Sequence, residues 1–330
     1  MMRAPGFWRE SGGGLLPLLL TPASAVYAAA TARRMRRPGW KAPVPVICCG
    51  NATAGGSGKT TAALDIGQRL ANRGIAVHFL LRGYGGTERG PLRVDPAVHD
   101  SMAVGDEALL LAAERPAWIS ADRAAGARAA VEAGAQAIVM DDGLQNPTLE
   151  KDLSLLIVDG GYGFGNGRII PAGPLREPVS AAAARSRAAV LIGPDESGAG
   201  AMLPPGLPVL RATLKPGPEA ERLAGQPVFS FCGIANPSKF FSTLTGAGMV
   251  LAGREAFADH YPFDEGDMRD LLAEAEALRA IPVTTRKDYV RIPPAFRSRV
   301  TVVTIRLEWS EPAQIEALLE PLAQRVPVPA

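Results

Sequence analysis

The chain has 330 residues, enough for one large domain or two modest ones. Hydrophobic residues make up 47% of it and charged residues 21%, which excludes a disordered or low-complexity protein. The formal net charge of +2 is unevenly spread, since residues 1–41 sum to +6 and the remainder sums to −4. The body of the protein therefore offers no general attraction to nucleic acid, whereas its N-terminus can attract an anionic surface.

Three cysteines occur in the sequence, Cys48, Cys49 and Cys232. Two of them are adjacent within an apolar run, and the odd total gives neither a disulfide framework nor the spacing of a metal site. The sequence therefore predicts a protein of a reducing compartment, without structural disulfides.

The N-terminal stretch "GLLPLLLTPASAVYAAATARRMRRPGW" (14–40) is apolar over about 15–32 and then carries four arginines. It falls short of the ~20 predominantly apolar residues of a spanning helix, and Pro17 and Pro22 interrupt it. A cleaved signal peptide, a spanning helix and a helix that covers the protein's own core are alternatives. The favoured prediction is a membrane-associated segment in residues 1–40, which lies on the membrane with its arginines on anionic headgroups.

From residue 44 onwards, short apolar runs alternate with helical patterns. Such alternation, with continuous apolar strands, predicts a parallel sheet covered by helices on both faces. The predicted strands are 44–49, 75–81, 135–140 and 153–159, and the predicted helices are 58–74, 105–116 and 121–134.

A second alternation follows a change in composition around 193–225, where two Gly/Pro-rich stretches resemble linkers. A smaller second α/β lobe is therefore predicted, with the domain boundaries 1–40, 41–215 and 216–330. Its predicted strands are 227–233, 249–253, 281–285 and 300–307, and its predicted helices are 237–246, 264–280 and 311–323.

The stretch "ATAGGSGKTT" (52–61) lies between the first predicted strand and helix and is similar to the P-loop pattern G-x-x-x-x-G-K-[ST]. Its glycines leave the backbone free to turn amide groups towards phosphate, although a threonine occupies the first glycine position. The lysine is expected to reach the β- and γ-phosphates, and the following threonine hydroxyl to bind Mg²⁺. The predicted ATP-binding residues are Thr53, Ala54, Gly55, Gly56, Ser57, Gly58, Lys59 and Thr60.

The apolar run "AIVMDD" (137–142) ends in two carboxylates, as the strand that supplies a metal-side aspartate to a P-loop does. Together with Thr60, Asp141 and Asp142 are therefore the candidate Mg²⁺ ligands. No lysine has an aspartate two positions further on, as a guanine-reading N-K-x-D segment requires. The predicted nucleotide is ATP, and the core is a P-loop NTPase-like sheet.

Two motifs in different lobes contain a candidate proton acceptor, "VGDEALLLA" (104–112) and "FADHYPF" (257–263). Asp106 and His260 would form a carboxylate-oriented base if they met across a cleft. The alternatives are that Asp106 caps a helix and that His260 is an ordinary loop residue. The loop "GNGRIIPAGPLREP" (165–178) follows a predicted strand, so it lies at the edge where α/β sheets bind ligands.

Seven motifs in chain order resemble those of the tetraacyldisaccharide 4'-kinase family, the lipid A kinases of Gram-negative bacteria. They are "GNATAGGSGKT", "RGYGG", "VGDEALLLA", "DDGLQN", "GNGRIIPAGPLREP", "FCGIANPSKFF" and "FADHYPF". The resemblance covers most of the chain. It implies transfer of the γ-phosphate of ATP to the 4'-hydroxyl of a tetraacylated glucosamine disaccharide 1-phosphate, which forms lipid IVA in lipid A biosynthesis. It also implies an enzyme at the cytoplasmic face of the inner membrane, held peripherally or monotopically; we expect a monomer without a nucleic-acid partner.

The resemblance also implies roles for individual residues. The catalytic residues would be Asp106, His260 and Lys59, and the acceptor head group would lie near Arg123, Asn166 and Arg176. Two departures from the family pattern are Asn146, where a histidine is usual, and Arg286, where an acidic residue is common. A kinase for another acceptor and a P-loop ATPase that acts with a protein partner are the alternative functions.

Overall fold

The alternation of strands and helices is present in the computed structural model of the protein, which describes residues 5–9, 14–234 and 236–326. The strands are β1 (Val46–Gly50), β2 (Val77–Leu81), β3 (Leu92–Arg93), β4 (Ala117–Ile119), β5 (Ala137–Asp141), β6 (Leu153–Asp159), β7 (Ala188–Ile192), β8 (Val209–Pro216), β9 (Pro227–Cys232), β10 (Val250–Ala256), β11 (Ile281–Thr285), β12 (Thr301–Val303) and β13 (Ile305–Trp309). The helices are α1 (Leu15–Leu19), α2 (Thr21–Met35), α3 (Lys59–Ala71), α4 (Ser101–Val104), α5 (Asp106–Ala112), α6 (Arg123–Glu132), α7 (Val179–Ala184), α8 (Ala199–Met202), α9 (Glu219–Leu223), α10 (Pro237–Gly246), α11 (Glu265–Ala277), α12 (Arg286–Tyr289), α13 (Pro294–Arg297) and α14 (Pro312–Ala323).

Nine strands of the described chain form the larger sheet, in the order β13-β8-β7-β6-β1-β5-β2-β4-β3. Neighbouring strands are parallel except at the two edges, where β13 and β3 run antiparallel to β8 and β4. Successive residues of a strand face opposite sides, so Ile47 packs into one core cluster and Cys48 into the other. Helices α3, α5 and α14 cover one face, and α6 and α7 cover the other. The predicted, mostly parallel sheet between helices is confirmed.

The centre of this sheet determines where ligands can bind. Strand β1 lies between β5 and β6. Strands β2 to β5 all lie on one side of β1, and strands β6 to β8 lie on the other side. The loops that follow such a central strand and its neighbour lead in opposite directions and leave a crevice at the carboxyl edge. The glycine-rich loop and the paired aspartates both begin at this edge.

A smaller parallel sheet, in the order β10-β9-β11-β12, forms the second lobe. One face packs against α10 through Phe240 and Leu244. The other packs against α11 through Met268 and Leu272, where Phe229 and Phe231 of β9 are fully buried. This lobe has a hydrophobic core of its own.

The prediction of one strand over 300–307 is wrong. The chain leaves the smaller sheet after β12, and β13 pairs antiparallel with β8 in the larger sheet. The hydroxyl of Thr304, between the two strands, donates a hydrogen bond of 2.6 Å to Glu219 Oε1. Helix α14 then buries Ile315 and Leu319 in the larger core. The predicted lobe 216–330 is therefore corrected at its end, because an apolar run does not specify which sheet it joins.

The sequence patterns also do not predict β3, β4, β7 or β8. Strands of two or three residues, such as β3 and β4, are too short to show a period. The alanine run that forms α7 is followed, after three intervening residues, by two more alanines at the start of β7, so the residue types do not mark where the helix ends and the strand begins. Strand β8 lies between the two stretches that resemble linkers. These strands form because the sheet supplies partners for them.

The N-terminal segment forms two helices that meet at Leu20. Pro22 stands in the first turn of α2, where its missing amide costs no helical hydrogen bond. The buried residues Pro17, Ser24 and Thr31 follow one another at intervals of seven along the inner side. The outer side exposes large apolar side chains, namely Leu15, Leu16, Leu18, Leu19 and Val26. Among the residues described, no helix combines the length and the apolarity that crossing a membrane requires.

Candidate functional site

The glycine-rich loop connects β1 to α3 in a conformation that depends on two of its glycines. Gly55 and Gly58 have φ angles of 125° and 85°, which side chains disfavour. Thr53 has no positive φ; it pairs with Leu175 across an isolated bridge, and its hydroxyl accepts a hydrogen bond of 3.2 Å from Asn51 Nδ2. A threonine therefore fits at the first position of the P-loop pattern, since the backbone there needs no glycine.

Lys59, the first residue of α3, folds its side chain over this loop. Its Nζ donates to the carbonyl oxygen of Gly55 over 3.3 Å and lies 3.8 Å from Asp142 Oδ2. The ammonium group is therefore held at the mouth of the loop, between the loop backbone and a carboxylate.

Thr60 and Asp141 meet beside it. The Thr60 hydroxyl donates a hydrogen bond of 2.7 Å to Asp141 Oδ2, whereas the buried Oδ1 of the same carboxylate has no hydrogen-bond partner among the described residues. Burial raises the pKa of Asp141 to about 7, against the opposing effects of Lys59 and of the Thr60 hydrogen bond. A free carboxylate oxygen next to a hydroxyl fits a hard cation such as Mg²⁺.

The described part of the chain contains no group of three or more His, Cys, Asp or Glu side chains placed to hold a metal ion. A cation at Thr60 and Asp141 would thus have few protein ligands. This agrees with sites in which phosphate oxygens and water complete the coordination of Mg²⁺.

Asp142 turns in a different direction from Asp141. Its φ is 59°, its amide donates to the carbonyl of Cys49, and its carboxylate accepts hydrogen bonds of 2.7 Å and 2.9 Å from Arg176 Nη1. Burial alone would raise the pKa of Asp142, but Lys59 and Arg176 outweigh this effect and hold the pKa below its ordinary value. The two adjacent aspartates therefore have different partners. Asp141 faces the Thr60 hydroxyl, whereas Asp142 forms ion pairs with Lys59 and Arg176.

The loop after β6 packs directly on the P-loop. The amide of Ala54 donates to the carbonyl of Pro174 over 2.8 Å, and the amide of Arg176 donates to the carbonyl of Ala52 over 2.7 Å. Arg176 thus contacts the P-loop with its backbone and the paired aspartates with its side chain.

In this loop, both side-chain polar atoms of Asn166 form hydrogen bonds. Its amide nitrogen donates to the carbonyls of Phe7 and Ala172 over 3.1 Å and 2.9 Å, and its oxygen accepts from the amide of Arg168 over 3.0 Å. The side chain joins the N-terminal segment to the loop and shapes the loop from within; that the acceptor head group lies near Asn166 stays a prediction.

Arg123 begins α6 directly after the turn that follows β4, and its side chain is buried. It donates to the carbonyl of Ser120, while its Nε has no hydrogen-bond partner among the described residues. Burial lowers the pKa of Arg123 to about 10, and the charge of Asp142 opposes this effect. Arg123 therefore lies at the same sheet edge as the paired aspartates.

Asp106 and His260 meet where the two lobes face each other. His260 Nδ1 lies 2.6 Å from Asp106 Oδ2, although 154 positions separate the residues in the sequence. Asp106 is the first residue of α5, behind Gly105 with a φ of 86°, and its side chain is 3% exposed. His260 is more exposed and has a left-handed backbone with a φ of 62°. The arrangement is a histidine oriented by a buried carboxylate, which can accept a proton from a bound hydroxyl.

Charged residues that the sequence reasoning missed surround this pair. Lys287 Nζ lies 3.3 Å from His260 Nε2 and 3.2 Å from Glu107 Oε1, and Arg291 Nε lies 3.4 Å from Asp106 Oδ2. Both cations come from the stretch "TTRKDYVR" (284–291). The one signal that could have identified them is the concentration of charge in that stretch, where four charged residues lie close together, namely Arg286, Lys287, Asp288 and Arg291.

The two departures from the family pattern have ordinary local partners. The Asn146 side-chain oxygen accepts hydrogen bonds from the amide and hydroxyl of Thr148, so the residue caps its own turn. Arg286 forms an ion pair with Glu114 of the larger lobe. Neither side chain contacts the P-loop or the Asp106–His260 pair through a hydrogen bond or ion pair of the described residues.

Comparison with known proteins gives consistent results. The sequence matches the family described as Tetraacyldisaccharide-1-P 4'-kinase over residues 16–324. The Tetraacyldisaccharide 4'-kinase of Gluconacetobacter diazotrophicus is 57% identical over 319 residues, which cover 97% of this chain and 98% of that protein. The protein of the same name from Rhodospirillum rubrum is 53% identical over 326 residues, covering 97% and 98%. The crystal structure of "apo" form LpxK from Aquifex aeolicus in complex with ATP aligns with a TM-score of 0.76 at 25% identity, covering 93% of this chain and 99% of that chain.

Gly105 provides a test of how tightly the backbone before Asp106 is held. A Cβ atom there would lie 2.4 Å from the carbonyl oxygen of Tyr84, on a backbone whose φ already disfavours side chains. With a φ of 86° and a ψ of 152°, Gly105 lies in a backbone region that is essentially restricted to glycine. We expect Gly105→Ala to lower the free energy of unfolding by more than the roughly 1–3 kcal/mol that such a backbone alone costs a side chain. Gly134→Ala is the matched control, since its φ is 91° and no atom lies within 4 Å of the added Cβ. Equal losses in urea unfolding would show that the Tyr84 backbone yields to the methyl group.

Proposed function

Since the chain belongs to the Tetraacyldisaccharide-1-P 4'-kinase family, we propose that it transfers the γ-phosphate of ATP to the 4'-hydroxyl of a tetraacylated glucosamine disaccharide 1-phosphate. The product is lipid IVA, an intermediate of lipid A biosynthesis. One observation supports this reaction above the others. A P-loop with its Thr60–Asp141 contact opens at the same sheet edge as a proton-accepting pair, Asp106 and His260.

ATP is the phosphoryl donor. The turns at Gly55 and Gly58 leave the loop amides available to phosphate oxygens, and the N-terminus of the 13-residue helix α3 adds a positive end of its dipole. Lys59 is the cation that reaches the transferring phosphate, which requires it to exchange the Gly55 carbonyl for phosphate oxygen. These groups stabilise the negative charge of the transferring phosphoryl group.

Thr60 and Asp141 are the residues that would hold Mg²⁺. Bound there, Mg²⁺ would neutralise negative charge on the phosphates of ATP. Asp141 must lose its proton to serve as a ligand. Because burial raises the pKa of Asp141, this deprotonation makes cation binding depend on pH. Asp142 stays ionised and keeps Lys59 and Arg176 near the metal side of the loop.

The acceptor hydroxyl gives its proton to the Asp106–His260 pair. The buried carboxylate fixes the orientation of the imidazole, and the imidazole is the more exposed member of the pair. Such a base makes the hydroxyl oxygen a better nucleophile as the phosphoryl group arrives.

The anionic acceptor head group lies on the side of Arg123 and Arg176. Both guanidinium groups are near Asp142, and the Nε of Arg123 has no hydrogen-bond partner in the described chain. Asn166 contributes through the shape of the loop that carries Arg176. Arginine suits this task because its planar donors match phosphate oxygens.

The N-terminal helices hold the enzyme on the cytoplasmic face of the inner membrane as a peripheral or monotopic monomer. Their exposed leucines lie in α1, and the exposed arginines at 33–37 lie at and just after the end of α2, so the segment offers apolar side chains to lipid and cations to anionic headgroups. The Ser24 hydroxyl donates to the carbonyl of Ile169 over 2.7 Å and accepts from the amide of Ala172 over 3.1 Å. The helices thus join the loop beside the acceptor, so that a lipid can reach the site from the membrane surface.

The reaction is tested by incubating the protein with γ-labelled ATP and a tetraacyldisaccharide 1-phosphate in detergent micelles. We expect labelled lipid from the wild type and none above background from Lys59→Ala, because the variant lacks the cation at the γ-phosphate. Hydrolysis of ATP without labelled lipid would favour the ATPase that acts with a protein partner. Label transferred only to other glycolipids would identify a kinase for another acceptor.

The role of the proton-accepting pair is tested with Asp106→Asn, which keeps the shape of the side chain. We expect kcat to fall by about 10²–10⁴-fold, the usual contribution of a general base, with little change in KM for ATP. Asp100→Asn is the control, since Asp100 caps α4 and asparagine caps a helix equally well. A kcat of Asp106→Asn within a few-fold of the wild type would remove the pair from the mechanism.

Membrane attachment is tested by sedimentation with phosphatidylglycerol vesicles. Leu18→Glu places a charge where we expect a leucine to enter the lipid, so vesicle binding should fall by about tenfold or more. The control is Leu278→Glu, which changes an exposed leucine of the second lobe. Equal binding of both variants would show that α1 does not enter the bilayer surface.

A further inference from the structure

Arg291 has no role in the reaction as described so far, yet it is among the most enclosed charged residues of the site. Its side chain is 2% exposed, and its donors reach three main-chain carbonyls. Nη1 donates to Tyr261 over 2.9 Å, Nη2 to Gly233 over 3.1 Å, and Nε to Lys287 over 3.3 Å. A guanidinium group with this many fixed partners has little freedom to move.

Two of these carbonyls control the backbone of His260. The His260 amide donates to the Gly233 carbonyl over 3.1 Å, and the Tyr261 carbonyl belongs to the next residue. Arg291 therefore bonds both the carbonyl that accepts the His260 amide and the carbonyl of the residue after His260, whose φ is 62°. Such a conformation persists only where the surroundings enforce it.

The same guanidinium group reaches the other member of the pair. Arg291 Nε lies 3.4 Å from Asp106 Oδ2, the oxygen that also faces His260 Nδ1. A carboxylate that is 3% exposed requires a compensating charge to stay ionised. Other charged groups facing the pair are Glu107 on α5, Asp259 beside His260, and Lys287 and Asp288 on α12. Of the two cations, Lys287 contacts the imidazole, so Arg291 is the one in contact with the carboxylate.

Asp288 fixes Arg291 in turn. It is fully buried, and its Oδ1 accepts hydrogen bonds of 2.8 Å from both Arg291 Nη2 and the amide of Gly233. Its Oδ2 accepts from the hydroxyl of Thr285, the last residue of β11. The guanidinium group is therefore anchored to the smaller sheet while it extends to α5 of the larger lobe.

We propose that Arg291 is a positioning residue for the Asp106–His260 pair, which aligns His260 from one lobe with Asp106 from the other and places a cation against the buried Asp106 carboxylate. The inference rests on the proposed role of that pair in phosphoryl transfer. It assigns Arg291 no contact with the acceptor. Both effects come from one side chain, because its Nε faces the carboxylate while its terminal nitrogens hold the histidine backbone.

The test uses the double variant Asp288→Asn/Arg291→Met, since Arg291→Met alone would leave a buried carboxylate without its cation. We expect kcat to fall by about 10²-fold, as misalignment of a reacting group does, with KM for ATP unchanged. The acidic limb of the kcat–pH profile should also move to higher pH. The double variant loses the Asp288 anion as well as the Arg291 cation, but only Arg291 contacts Asp106. The net change therefore favours the protonated forms of Asp106 and His260, and the pair works only after losing that proton.

Two further variants distinguish a specific positioning role of Arg291 from a general effect of losing an arginine in this segment. Arg291→Lys keeps a cation but loses the fork of donors, so we expect a lower kcat with the acidic limb nearer its original place. Arg297→Met is the matched control, because Arg297 donates to the carbonyls of Ile292 and Val290 in the same segment and has no carboxylate partner among the described residues. If Arg297→Met shifts the pH profile as much as the double variant, or if the double variant leaves the profile in place, the proposal is wrong.

A readout without turnover keeps this test independent of the reaction. The sequence has only three histidines, so the imidazole of His260 can be followed by NMR in ¹⁵N-histidine-labelled protein. We expect its titration to move to higher pH in the double variant, with no such movement for the other two histidines. An unchanged titration in folded protein would overturn the proposal even if phosphoryl transfer is measured, and the predicted shift would uphold it even if the acceptor is another molecule.

Discussion

The parallel register of β1 against β5 is the constraint on which the site depends. It sets Cys49 opposite Asp141, so the P-loop and the paired aspartates leave the sheet at the same level. Helix α3 then starts close enough for Thr60 to donate to Asp141. A shift of the register by one residue would turn Asp141 to the other face of the sheet, because side chains alternate along a strand. The apolar residues buried on both faces make such a shift costly, and the core thereby fixes the geometry at the edge.

Electrostatics divides the carboxylates of this edge into separate tasks. Burial favours the protonated form of each, and the outcome depends on which cation lies nearby. Asp142 has Lys59 and Arg176 in contact and a pKa below its ordinary value, whereas Asp141 has a hydroxyl partner and a raised pKa. Asp106 is buried in a similar way but faces Arg291 and His260 from the other lobe. The charge state of the site is thus determined by side chains that distant parts of the chain supply.

Local patterns predict the parts of this protein whose conformation is set locally. The turn at Gly58, the apolar strand before Asp141 and the alternation of the central strands with helices follow from residue types over a few positions. The return of β13 to the larger sheet does not, since its pairing with β8 is chosen by tertiary contacts. Arg291 was missed for the same reason. Its role depends on a contact with Asp106, and the residues near Arg291 in the sequence do not predict that contact. Residue types singled out Asp106 and His260 as candidates and the resemblance to a family implied their role, whereas no local pattern could show that the two side chains are in contact.

The loop after β6 joins elements that would otherwise be independent. On one side it bonds the N-terminal helices through Ser24, and on the other it bonds the P-loop through the Ala54 amide and the Arg176 side chain. Asn166 uses all its polar atoms to keep the loop in one shape between these contacts. Displacement of the N-terminal helices would therefore pull on hydrogen bonds that reach the P-loop within a few residues. A surface that held these helices in place would also hold the loop against the P-loop, because the loop bonds Ser24 through Ile169 and Ala172 and bonds the P-loop through Pro174 and Arg176.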